Sequence, residues 1–130
     1  AGATLGVKSP NLFRELDGNA KRLLQEGTPL GIANCVWACA TLGIKSPNLF
    51  QELDKNAKWL VKEGDPQSVA NCVWACATLG LKSPNLFQEL NKNAKWLVQE
   101  GDPQNLANSA WACATLGVKS PNLFQELDKN

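Results

Sequence analysis

Apolar positions recur along this chain in two rhythms. Over residues 46–64, Leu49, Phe50, Leu53, Ala57, Leu60 and Val61 fall within about 120° of a helical wheel, the stripe of an amphipathic helix with one buried face. Ser46 reads as its N-cap, Pro47 as its first residue and Gly64 as its stop. Asp65, Pro66 and Gly80 repeat that grammar around a second helix. Its body, Val69 to Leu79, is apolar on almost every side and predicts an element sandwiched between neighbours. Only the tight turn Gly64-Asp65-Pro66 joins the two helices, so they must run antiparallel.

The pair recurs. The string SPNLF starts at Ser9, Ser46, Ser83 and Ser120, a spacing of 37, and WACATLG keeps that spacing from Trp37, Trp74 and Trp111. Residues 46–82 match 83–119 at 30 of 37 positions and match 9–45 at 27 of 37. The expected fold is all-α, an α-solenoid of stacked antiparallel helical hairpins. It forms one array: a partial unit at 1–8, repeats at 9–45, 46–82 and 83–119, and a partial unit at 120–130. The chain opens and closes inside a repeat, as a slice of a longer array or a consensus-like sequence would. Leu5 and Val7 at the start, and Leu123, Phe124 and Leu127 at the finish, are expected to lack a neighbour and to favour end-to-end self-association.

Composition narrows the chemistry. Thirteen Lys and Arg against twelve Asp and Glu leave a net charge of +1, so no overall field points to a partner. No apolar run is long enough to span a membrane, and no membrane partner is expected. Histidine is absent, which removes the ordinary triad base and the imidazole metal ligand. Cys35 and Cys39, like Cys72 and Cys76, are spaced i,i+4 on one helix, and the third unit keeps only Cys113 beside Ser109. Zinc sites favour close pairs in turns with a matching second pair, so these cysteines read as small buried hydrophobes without metal or disulfide. The carboxylates Glu15, Asp17, Glu52 and Asp54 sit beside basic residues and read as a solvated face. Neither catalysis nor a cofactor is expected.

Two surfaces hold candidate binding residues. Trp59 lies about 140° from the middle of the apolar stripe, on the polar side with Lys55 and Lys62, and Trp96 repeats it beside Lys92. An aromatic flanked by cations suits base stacking with phosphate attraction, and equally suits packing on the next repeat. Arg22 takes this place in the first unit. On the second helix Gln67, Asn71, Trp74 and Thr78 share one edge, along which Asn34, Asn71 and Asn108 form an amide ladder, either as framework or as ligand contact. A reader of sequence must vary between units, and the position occupied by Gly31, Ser68 and Asn105 does, as does its neighbour at Leu30, Gln67 and Gln104. Drift at an exposed site is the alternative. Lys8, Lys45, Lys82 and Lys119, one per inter-repeat turn, form a row able to track phosphates.

The segments DPQSVANCVWACATLG, DPQNLANSAWACATLG and TPLGIANCVWACATLG resemble the octotricopeptide repeats of algal chloroplast proteins and, equally, the 37-residue heptatricopeptide repeats of organellar RAP-domain proteins. The resemblance covers essentially the whole chain. It implies an RNA-binding solenoid in a plastid or mitochondrion, acting in transcript stability, processing, ribosomal RNA organisation or translation. Its base-facing positions map onto Gln67 with Ser68 and Gln104 with Asn105, while the first unit departs with Leu30 and Gly31. No RAP domain or transit peptide lies in these residues, so localisation follows from the resemblance alone. Two functions stay open: single-stranded RNA binding at one nucleotide per repeat, and a protein-interaction scaffold holding peptides in the solenoid groove.

Overall fold

The computed structural model describes residues 10–129, and Leu5, Val7 and Lys8 lie outside them. Every regular element among the described residues is a helix: α1 (Pro10–Gly18), α2 (Ala20–Glu26), α3 (Pro29–Leu42), α4 (Pro47–Lys55), α5 (Ala57–Glu63), α6 (Pro66–Leu79), α7 (Pro84–Lys92), α8 (Ala94–Glu100), α9 (Pro103–Leu116) and α10 (Pro121–Lys129). Helix boundaries recur every 37 residues. Two layers result. In one, α3 packs on α6 and α6 on α9; in the other, α1 and α2 pack on α4, α4 and α5 on α7, and α7 and α8 on α10.

Each unit has three helices rather than two. The single helix expected over 46–64 breaks at Asn56, whose backbone leaves the helical region at φ −105°, ψ 21°. Its side-chain amide donates to the Glu52 carbonyl at 2.8 Å, as its own backbone N–H does at 3.1 Å. An Asn side chain that bonds the preceding turn competes with the helical ladder, which is why asparagine interrupts helices. Asn19 and Asn93 break their units in the same way.

The expected stops hold, by two mechanisms. Gly80 adopts φ +67°, and the Leu81 N–H donates to the Cys76 carbonyl while Gly80 N–H donates to Ala77, a Schellman closure that favours glycine. Gly64 is extended instead, and there a Cβ would sit 2.5 Å from the Leu60 carbonyl oxygen.

Helix starts bring a correction. Thr28, Asp65 and Asp102 cap the second helices as expected, accepting from the N–H of Gly31, Ser68 and Asn105. Ser46 makes no cap bond, and the cap of α4 comes from the preceding unit. The Asp17 carboxylate accepts from the Leu49 N–H at 3.0 Å, Ser46 Oγ at 2.9 Å and Asn48 Nδ2 at 3.0 Å. Asp54 likewise accepts from Leu86 N–H, and Asn91 Oδ1 from the N–H of Asn122 and Leu123. Asp17 and Asp54 are therefore not free members of a solvated face; they tie one unit to the next. Ser46, Ser83 and Ser120 of this motif are buried, and Ser83 and Ser120 pair with the thiols of Cys76 and Cys113.

One continuous core runs through the array. Leu49, Leu53 and Leu60 from the first layer meet Val69, Val73 and Cys76 from the second, all fully buried. Each large side chain so buried contributes about 1.5–3 kcal/mol of transfer free energy. As the centre of its layer, α6 buries most of its surface, as its all-round apolarity predicts. Among the residues expected to lack a neighbour, Leu123 is instead fully buried where α10 meets α7 and α8, Leu127 is half-buried and Phe124 is exposed.

Candidate nucleic-acid interface

The second-helix layer carries the residues expected to read bases, and the structure separates them. Gln67 and Gln104 are exposed in the first turns of α6 and α9. Ser68, one residue on, is 1% exposed. Its expected exposure fails because the first turn of α6 is enclosed between its neighbours, which one-helix periodicity does not register. The equivalent Asn105 is half-buried, and its side-chain oxygen accepts from the Asp102 N–H to close a capping box. Gly31 is exposed but brings no side chain. Asn34 is exposed, Asn71 and Asn108 are half-buried, and among the described residues no hydrogen bond links the three. Asn108 instead accepts from Gln104 Nε2 at 3.0 Å within its own helix.

The same edge, on which Trp74 is expected, presents stacked tryptophans. The indoles of Trp37 and Trp74 stack at 6.3 Å between centroids, 27° from coplanar. Trp37 and Trp111 are each 46% exposed. The signal was available, since the 37-residue spacing puts all three tryptophans at one helical phase. No charged residue occurs in α3, α6 or α9, so the exposed strip of Asn, Trp and Thr is wholly neutral.

Cations gather on the other layer and in the turns. Trp59 and Trp96 are half-buried and pack against the core, so packing accounts for part of each ring. Lys55 and Lys92 do not flank these rings as free cations; they pair with Glu52 and Glu89 on their own helices at 3.4 and 3.7 Å. Trp96 faces a groove of about 440 Å³ between α5 and α8, also lined by Lys58, Val61, Lys62, Glu89 and Asn93. Lys58 and Lys62 form no ion pair among the described residues. In the turns, Lys45, Lys82 and Lys119 are all exposed, and Lys82 and Lys119 lie on the rim of a second groove of about 520 Å³ walled by Phe87, Asn91 and Leu116.

The cysteine thiols are all shifted upward. Burial pushes the Cys39 thiol up to about 11 and Cys76 up to about 12, partly offset by hydrogen bonds from Ser46 and Ser83. Cys35, Cys72 and Cys113 are raised by the same desolvation. Such thiols stay protonated at neutral pH, which disfavours nucleophilic or metal-binding roles. Among the described residues no three acidic or sulfur side chains converge on a metal-sized site, and no helix is long and apolar enough to cross a membrane.

The family model described as RNA-editing substrate-binding complex 6 protein matches residues 1–130, the full chain. The chain belongs to the RNA-editing substrate-binding complex 6 protein family. No curated protein and no solved structure matches it. Membership supports an RNA-associated helical protein, the coarser part of the resemblance drawn from the repeats. It does not extend to the octotricopeptide or heptatricopeptide classes in particular, and the plastid has no support from it.

The chain carries a net charge of +1, and its charged side chains are unevenly engaged. Asp17, Asp54, Asp65 and Asp102 are engaged as caps, and Glu52 and Glu89 hold lysines of their own helices. Lys58, Lys62 and the turn lysines keep their ammonium groups clear of these pairs. Glu89, paired with Lys92, shares the groove wall with Lys58 and Lys62.

Proposed function

We propose that this chain binds single-stranded RNA along its repeats, without catalysis, as one part of an RNA-editing substrate-binding complex in the mitochondrion. The family match over all 130 residues carries this reading. Recurring aromatic and cationic side chains support it, because single strands are held by ring stacking with a basic groove along the backbone. The family description speaks of a substrate-binding complex, and the proposal therefore includes protein partners alongside RNA. The neutral strip of Trp37, Trp74 and Trp111 favours a protein on that layer, since interface centres are depleted of charge and rich in aromatics.

Three full repeats at one nucleotide each engage about three bases. Stacking at about 1–3 kcal/mol per base must overcome an association cost of at least several kcal/mol. Binding by this chain is therefore expected around micromolar or weaker, and to fall steeply with salt. Fluorescence anisotropy with a labelled single strand, its duplex form and a salt series tests this. Preference for the single strand with a negative salt slope is the expected result; equal binding of the duplex, or none of either, overturns the reading.

A further inference from the structure

The groove between α5 and α8 combines features that the rest of the surface keeps apart. Trp96 is half-buried, with one part of its indole held by the core and another lining the groove, which makes it a fixed platform rather than a mobile ring. Lys58 and Lys62 are spaced i,i+4 on α5 and so project from one side of it toward the same groove. Both are exposed and outside every ion pair of the described residues. Glu89 is the one carboxylate on the wall, and Lys92 holds it at 3.7 Å. Asn93 donates its amide to the Glu89 carbonyl, which orients the side chain and leaves its oxygen as an acceptor. The volume, about 440 Å³, falls within the range of small-ligand sites, roughly 300–1,000 Å³.

We infer that this groove is a nucleotide subsite for single-stranded RNA: a base stacks on Trp96, Asn93 meets its edge, and the adjoining phosphate lies against Lys58 and Lys62. The inference rests on the RNA-binding reading above and adds its location, on the first-helix layer between consecutive units rather than on the Asn and Gln edge of the second helices. A planar π-face beside two cations is the arrangement that holds single strands whatever their sequence. Recurrence gives further support. Moved back by 37 residues, Lys58, Lys62 and Trp96 become Lys21, Gln25 and Trp59, so the preceding junction repeats the subsite with one cation fewer. One subsite per junction matches a strand followed at one nucleotide per repeat.

The difference between the two junctions supplies a gain-of-function test that a merely structural role would not mimic. Gln25→Lys makes the first junction like the second; Thr78→Lys adds the same charge to the exposed surface of α6 in the opposite layer; Lys62→Gln makes the second junction like the first. The probe is a fluorescein-labelled oligouridine of about twelve nucleotides, within the range of single-strand site sizes. Each phosphate contact contributes about 0.7 to the logarithmic salt slope of a single strand, so a four-fold change in salt alters its contribution about three-fold. Gln25→Lys is expected to tighten binding about three-fold or more with a slope steeper by about 0.7, and Lys62→Gln to do the reverse. Thr78→Lys is expected to leave the slope unchanged. Trp96→Phe, which keeps an aromatic ring in the core contact, is expected to weaken binding and to diminish the tryptophan quenching produced by RNA, leaving the share that comes from Trp59. Equal effects of Gln25→Lys and Thr78→Lys, or undiminished quenching in Trp96→Phe, overturn the subsite while leaving RNA binding intact. No binding of oligouridine by the parent chain removes both readings. Competition by polyglutamate as strong as by RNA identifies the groove as a site for acidic protein segments and overturns the assignment.

Discussion

Replacing Asp54 is the most direct test of how the units are joined. Its carboxylate accepts from the Leu86 N–H at 2.9 Å, across the junction between α4 and α7. Ser83, at the N-cap of α7, makes no side-chain cap bond, so Asp54 does that work from the neighbouring unit. Losing an N-cap of this kind costs about 0.5–2 kcal/mol, and the negative charge near a helix start adds about 0.3–1 kcal/mol. Asp54→Ala should therefore lower stability by about 1–2 kcal/mol, a fall in Tm of roughly 4–8 °C for a chain of this size. The array contains its own control. At the next junction Asn91 fills the same position and its Oδ1 accepts from the N–H of Asn122 and Leu123, so Asp54→Asn should retain most of the stability. Urea unfolding followed by circular dichroism measures both variants. Because the contact links two units, Asp54→Ala should also broaden the transition and reduce its m-value as unit coupling weakens. If Asp54→Ala unfolds like the exposed control Lys95→Ala, the carboxylate is a solvated surface group after all and the account of unit coupling is wrong.

Other substitutions probe particular features of the fold. Ser68→Asn, which looks harmless because Asn105 holds the equivalent place, should destabilise by about 1–3 kcal/mol through overpacking at a position 1% exposed; a denaturation midpoint equal to the parent's refutes that. Gly64→Ala should cost a similar amount, about 1–3 kcal/mol, because its Cβ would lie 2.5 Å from the Leu60 carbonyl oxygen, and an unchanged midpoint would show that the turn yields freely. Half-buried Cys35 should be alkylated by iodoacetamide before the enclosed Cys72 and Cys76, which should react only on unfolding; mass mapping of the labelled peptides decides the order. The fold holds the Cys76 proton up to about pH 12 whereas an unfolded thiol loses its own from about 9.0, so this stabilisation is intact below pH 9 and declines as pH rises toward 12. Stability that stays level between pH 9 and 11 would contradict that linkage.

Much of this molecule was legible in one dimension because its governing interactions are local. Pro66 after Asp65, Gly80 in the left-handed region and the apolar phase of Leu49, Phe50 and Leu53 act within a turn or two of the chain. A 37-residue period then carries one reading to every unit. One local feature was nevertheless missed. Asn56 interrupts the first helix through a bond to its own preceding turn, a competition that hydrophobic periodicity does not register. The common phase of Trp37, Trp74 and Trp111 is visible in the spacing, but the stacking of Trp37 on Trp74 depends on how closely the units pack.

By itself, then, the sequence determined an all-helical array, its period, the starts of the second helices and the exclusion of histidine chemistry. Tertiary structure decided everything that depends on the neighbouring unit. Asp54 looks like a surface carboxylate until Leu86, 32 residues away, is brought to it. Ser68 looks like an exposed polar residue until the neighbours of α6 cover it, and Trp96 acquires its cations from the preceding unit rather than from its own helix. The reason is geometric. A helical wheel reports which residues share a face, whereas burial, capping and charge pairing depend on what is stacked against that face, and in a repeat array the partner lies a whole period away in the chain.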